Sequence, residues 1–337
     1  MNMRALLRIG LLFCFVPVGC DDAFSPKGAL LESPILYCVL EISPLQEYYI
    51  LSATLTSVYD VEGFNPRINT MDPTIERATI SLINGSRTYQ LQETLLPRPA
   101  GSPYEGCWHI YRATRAYIRT QDSLRLTARL PDGRELSART TVPSYKPVST
   151  FPLYTRGVTT QLPSLYFGSA WIINWDDFAH EDHLFFPRLE LVYEISTPSG
   201  PIVQGREVPL RYLSQDESLV PLYPKVTSAR ELAFDFDAID ATMAAISEGD
   251  PDKARYRVIG FSFELIELDF ALSRYYASVN GSLDQLSIRL EETVFTNITG
   301  GHGVFGTSMA NSRSFTVEAE YAASFGYSTG SSRATAP

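Results

Sequence analysis

Residues 124–142 constrain the fold more than any other stretch of this chain. Leu124, Leu126, Ala128 and Leu130 alternate with Arg125, Thr127 and Arg129, so one face is apolar and the other wet. Pro131-Asp132-Gly133 turns the chain, and Leu136, Ala138, Thr140 and Val142 carry the same period back. A helix cannot sort residues this way, because its faces repeat about every 3.6 positions. Similar segments lie upstream. Ile35 to Ile42 is an apolar run, Tyr48 to Tyr59 is rich in Tyr, Thr, Leu and Val, and Ala78 to Ile83 meets Tyr89-Gln90-Leu91 across Asn84-Gly85-Ser86. Seven candidate strands over about 110 residues fit an immunoglobulin-like or transthyretin-like β-sandwich spanning 34–145, with Pro143 and Pro147 marking a linker.

Residues 146–321 also read as mostly strand, but longer and less regular. Leu189, Leu191, Tyr193 and Ile195 alternate with Glu190 and Glu194; Phe261, Phe263 and Leu265 alternate with Ser262 and Glu264. Two short helices are predicted. One runs from Asp237 to Glu248, with Asp237 as N-cap, Ile239, Met243 and Ile246 on one face, and Gly249 past the end; the other covers Phe270 to Val279. The predicted class is all-β with two short helices: a first sandwich followed by a larger β-sandwich or jelly-roll-like domain. Residues 322–337 are small and polar and read as a flexible tail.

The N-terminus speaks to location. Arg4 and Arg8 precede an apolar segment, Ile9 to Val18, too short to span a bilayer, and Gly19 precedes Cys20. Residues 1–19 therefore read as a lipoprotein signal peptide, with lipidation of Cys20 and a tether over 20–33; Pro17 is unusual for such a signal. Losing Arg4 and Arg8 with the leader takes the formal charge from −10 to −12. An acidic chain without basic runs argues against nucleic acid as a partner. Membrane attachment is then left to lipid, where each buried methylene contributes about 0.8 kcal/mol. In the mature chain only Cys38 and Cys107 remain as thiols, and they read equally as a disulfide or as two buried free thiols.

Chemistry is harder to find. The segment Trp175 to His183 gathers Asp176, Asp177, His180, Glu181, Asp182 and His183, a candidate metal-ligating cluster. Its spacing matches neither the helical His-Glu-x-x-His motif nor an EF-hand loop, so a solvated loop is the simpler reading. The glycines of Thr299 to Gly306 suggest a phosphate cradle, but without a P-loop ending they more simply serve a tight, structured loop. No Gly-x-Ser-x-Gly elbow occurs, and His109, between Trp108 and Ile110, reads as structural. No catalytic residue and no cofactor is assigned, although the plentiful acids leave a carboxylate pair open. Among the three tryptophans, Trp175 is the one expected to be exposed, because acids follow it.

In these features the chain resembles a family of Bacteroidota outer-membrane lipoproteins known as domain of unknown function 4249. The resemblance rests on Cys20, the strand Pro34-Ile35-Leu36-Tyr37-Cys38-Val39-Leu40, the close of the first domain at Gly133 and Val142-Pro143, Tyr275-Tyr276, and the run from Asn297 to Gly306. Within that run Asn297, Gly300, Gly301, Gly303 and Phe305 carry the motif. Cys38 stands where the family more usually has glycine. The resemblance implies no reaction and no catalytic residues. It implies a lipid-anchored envelope protein, surface-exposed on the outer membrane, with an accessory role beside a TonB-dependent transporter. The expected function is thus non-enzymatic binding of a transporter, peptide or small molecule. The competing classes are a surface hydrolase acting on glycan or peptide, with its site near His180 and His183, and a structural or adhesive envelope protein.

Overall fold

The alternating segments form strands wherever one face can be buried. The computed structural model describes residues 33–57, 72–98, 102, 104, 106–151, 154–155, 158–159, 169–175, 183–215, 218–280 and 294–330. Strands β1 (Pro34–Ile42), β2 (Tyr48–Ser57), β3 (Thr79–Asn84), β4 (Arg87–Pro97), β5 (Cys107–Tyr117), β6 (Ser123–Arg129) and β7 (Glu135–Thr141) make up the first sandwich. One layer is β1-β2-β5 and the other β3-β6-β7, and β4 joins them by changing sides. Its residues up to Leu91 pair with β3, and those from Gln92 onward pair with β5. The inner faces supply one apolar core, including Leu36, Leu51, Leu82, Leu124, Leu126 and Leu136.

The second half begins with β8 (Val148–Phe151), β9 (Tyr154–Thr155), β10 (Val158–Thr159), β11 (Ala170–Trp175), β12 (Phe185–Thr197) and β13 (Gly200–Glu207). It continues through β14 (Arg211–Gln215), β15 (Ser218–Leu222), β16 (Glu231–Asp235), α1 (Phe236–Ala245), β17 (Tyr256–Leu268) and α2 (Phe270–Asn280). It ends in β18 (His302–Val317), α3 (Ala319–Ser324) and β19 (Ser328–Thr329). A three-stranded sheet, β16-β11-β8, shares a second core with β12, β17, β18 and α1. Trp171, Ile173 and Trp175 face Leu189, Leu191, Phe261, Phe263 and Leu265 there. The protein is all-β in class, as the period-two pattern predicts.

The long sheet does not stop at residue 145. β18 pairs in parallel with β1, from Ile35 opposite His302 to Ile42 opposite Met309. From Ser308 to Phe315 it pairs with β17 in antiparallel register. One strand therefore lends Phe305 and Met309 to the first core and Phe315 and Val317 to the second. β18 thus joins the two halves into one sheet.

Two expectations change. A third helix, α3, follows β18, and the chain beyond it is docked through residue 330. Tyr327 is buried with its hydroxyl 2.8 Å from that of Ser247, and β19 pairs with β17. An aromatic anchor in an otherwise small and polar stretch explains the order. Residues 331–337 lie outside the described residues, as do the leader, Cys20 and the tether through residue 32. The first helix starts one residue before the predicted Asp237, with Asp235 as N-cap. No helix among the described residues is long and apolar enough to cross a membrane.

Candidate functional site

β17 places a carboxylate where its pattern calls for an apolar side chain. Phe261, Phe263 and Leu265 point into the second core, and the next residue of that parity is Glu267. Its neighbours across the sheet are Phe185 on β12 and Met309 on β18. Burying a charge there requires partners, since a bare carboxylate in an apolar medium is prohibitively costly. His183, just before β12, places Nδ1 2.6 Å from Glu267 Oε1, and the Lys146 ammonium stands 4.0 Å from the same oxygen. All three are buried: Glu267 is 0% exposed, Lys146 5% and His183 8%. Glu267 Oε2 has no hydrogen-bond partner.

A second buried carboxylate lies two residues on. Asp269 is 1% exposed and caps α2, accepting the Leu272 amide at 2.8 Å on Oδ1. Its other oxygen accepts the Thr140 hydroxyl, the Thr307 amide at 2.5 Å and the Thr307 hydroxyl at 3.0 Å. Burial pushes the Asp269 carboxyl above the usual carboxylate range, against the pull of these donors. Asp269 thereby ties α2, β18 and β7 together. Its oxygens are fully engaged.

These groups line a cavity of about 720 Å³ at the joint between the two halves. Its wall comes from the β5–β6 turn (Gln121), the end of β7 (Arg139 to Thr141), the linker through Lys146, then His183, Glu267 and the start of α2 at Phe270. Gln121 holds a left-handed backbone conformation, φ 65°, while its amide donates to the Val142 carbonyl. The size falls within the range of small-ligand sites, and ionisable groups buried in a concave wall are a recognised mark of such sites.

Of the sequence-derived metal candidates, His183 alone is among the described residues; Asp176, Asp177, His180, Glu181 and Asp182 lie outside them. His183 is not a solvated loop residue but a buried partner of Glu267. Trp175 is likewise buried, 2% exposed and packed between Phe185 and Phe263, whereas Trp108 is the half-exposed one. Its inward position on β11 outweighs the acids that follow. Cys38 and Cys107 are both free, Cys38 buried and Cys107 exposed. β2 lies between their strands, which puts their Cα atoms beyond the roughly 7 Å a disulfide can span. Burial pushes the Cys38 thiol up to about 12.

The glycine-rich motif is structural. Gly303 has φ +102°, and a Cβ there would sit 2.2 Å from the Leu36 carbonyl oxygen of β1. At Gly306 a Cβ would lie 2.4 Å from Cγ of Leu272 on α2. Asn297 closes the loop by bonding both the amide and the carbonyl of Phe305, at 2.9 and 2.7 Å, and Phe305 fills the first core. Gly300 and Gly301 sit where the chain passes the carbonyls of Glu135 and Pro34. The motif lets β18 run against β1, β7 and α2 at backbone distance, without the geometry of a phosphate cradle.

His109 has two carboxylates about it. Glu93 Oε1 is 2.8 Å from Nδ1 and Glu76 Oε1 is 3.4 Å from Nε2, so the three residues offer ligand-type atoms within 4.8 Å of one another. Both ring nitrogens of His109 thus face a carboxylate oxygen. The bond from His109 holds the Glu93 carboxyl below its ordinary range. Sequence reasoning missed Glu267, Lys146 and Asp269. The parity of Glu267 with Phe261, Phe263 and Leu265 is the signal that marks it.

No protein-family model and no curated protein matches the chain.

Proposed function

We propose that the chain is a lipoprotein of the outer membrane, held at the cell surface by lipid on Cys20, with a non-enzymatic binding or accessory role beside a TonB-dependent transporter. The observation that carries the binding role is the cavity of about 720 Å³ walled by Lys146, His183, Glu267 and Asp269 at the joint of the two halves. Its wall, drawn from the end of β7, the linker, the end of β17 and the start of α2, gives a concave receiving place of small-ligand size. The leader and Cys20 support the anchor, and the acidic surface leaves lipid as the attachment. Fatty-acid labelling of wild type and Cys20→Ser, followed by membrane fractionation and co-purification, tests both parts. The expected result is label and membrane retention in wild type alone, with a transporter recovered from detergent extracts. An unlabelled wild type in the soluble fraction overturns the anchor, and recovery without a transporter overturns the accessory role.

One observation favours the hydrolase reading as second. His183 and Glu267 form a 2.6 Å pair in a cavity wall, an arrangement that general acid–base chemistry uses. Turnover of glycan or peptide substrates that disappears in His183→Ala selects it over the binding role.

A further inference from the structure

The unpaired oxygen of Glu267 specifies more than a cavity. Oε1 of that carboxylate is taken up by His183 and Lys146, while Oε2 is buried without any donor, although the residue lines the cavity. A buried acceptor left unmade is costly, more so when charged, so Glu267, as part of the cavity wall, is suited to a ligand group that reaches Oε2 and donates a hydrogen bond. The charges nearby narrow that group. A cation entering here meets Lys146, already 4.0 Å from the same carboxylate, and Arg139 in the same wall. An anion meets Glu267 and Asp269. An uncharged donor escapes both penalties.

A hydroxyl is the neutral group that fits best, because it donates to Glu267 Oε2 and accepts from cationic donors with the same atom. Thr141, Ser144 and Gln121 add small polar groups to the wall. Phe270, 48% exposed, adds an apolar ring on which the carbon face of a sugar can rest. We infer that the cavity between β7, the linker and α2 binds an uncharged polyhydroxylated ligand of mono- to disaccharide size, with Glu267 as hydroxyl acceptor and Phe270 as stacking surface. This inference rests on the binding role proposed above and names its ligand class.

The test is calorimetric titration of the purified mature chain with N-acetylglucosamine, maltose and cellobiose, against putrescine, citrate and triglycine. At least one saccharide is expected to bind and to raise the melting temperature. Glu267→Gln turns an acceptor into a donor and is expected to weaken that binding by about tenfold or more, the size of a hydrogen bond to a charged group. Phe270→Ala, at a half-exposed position, is expected to weaken it by roughly three- to tenfold, the worth of one ring contact. Should Glu267→Gln fail to fold, Phe270→Ala carries the decision. Silence of all three saccharides overturns the inference, and so does saccharide binding that neither substitution weakens. Binding of putrescine, citrate or triglycine alone overturns the ligand class yet leaves the binding role standing. Recovery of a transporter from membranes speaks only to the accessory role.

Discussion

The inner face of the first sandwich and the seam between the two halves are built from the same kind of strand, yet they differ in what they bury. In the first, β1, β2, β6 and β7 turn apolar residues inward at every second position, and the core is mainly Leu, Ile and Ala. At the seam the alternation persists while its content changes. β17 ends its inward row with Glu267, and β18 places Asn311 inward at 1% exposure, with neither amide atom hydrogen-bonded. Regular alternation fixes which way a side chain points. It does not ensure that what points inward is there for stability. Glu267 is buried beside a cavity at the joint, which makes it a candidate site residue rather than simply part of a core.

The largest effect that tests this contrast concerns the shared strand. Gly303→Val places a branched side chain at φ +102° and against the Leu36 carbonyl, and is expected to cost more than about 4 kcal/mol, abolishing soluble protein. A variant with near wild-type stability in urea breaks the claim that β18 must meet β1 at backbone distance. Next come Leu126→Ala in the first core and Phe263→Ala in the second, each expected to cost roughly 2–5 kcal/mol. Because β18 serves both cores, each is expected to shift one common unfolding transition seen by fluorescence and far-ultraviolet dichroism. Two separated transitions mean that the halves fold independently.

Glu267→Gln is expected to cost less, about 1–3 kcal/mol, because the amide keeps one acceptor for His183 and loses only the charge. A cost equal to that of Phe263→Ala makes the seam as much a stabilising core as its neighbour. Thiol labelling sharpens the comparison without perturbing it. At pH 8, Cys107 is expected to react with a maleimide in the folded protein, while Cys38, its thiol pushed up to about 12 by burial, reacts only on unfolding. Mass spectrometry of the labelled peptides reads both sites, and rapid modification of Cys38 means that the first core opens readily. The smallest effect belongs to the surface. Glu93 is held below its ordinary pKa by His109, so its contribution is present above the unfolded value and disappears as pH falls through the folded one. Glu93→Gln is therefore expected to lower stability by under about 1 kcal/mol at pH 7 and by progressively less as the pH is taken down into the acid range, read from urea midpoints.

Much of the first sandwich was legible because its signals are local. The 124–142 hairpin and the Asn84-Gly85 turn each lie within a few residues of their partners, and their period names the buried face directly. The second half was legible as strand but not as topology. Nothing near His302 in sequence indicates that it pairs with Ile35, since parallel pairing of chain segments so distant leaves no local trace. The candidate site escaped for the same reason. Lys146 lies in the linker, His183 at the end of an acidic segment and Asp269 just before a helix, far apart in the chain. Their shared cavity exists only because β17, β7 and α2 converge. Glu267 was missed as well, although a charged residue in an apolar row is a signal the sequence carries.

Sequence alone determined that this chain forms sheets, which faces of the early strands are dry, and where flexible backbone is needed in the Asn297 to Gly306 run, because these follow from side-chain period and steric freedom. Tertiary structure decided that one strand belongs to both cores, that Trp175 and His183 are buried, and that Arg139, Lys146, His183, Glu267 and Asp269 share a cavity. Those outcomes depend on which distant segments pack together, and packing energy depends on the surfaces that meet rather than on the order in which the chain presents them.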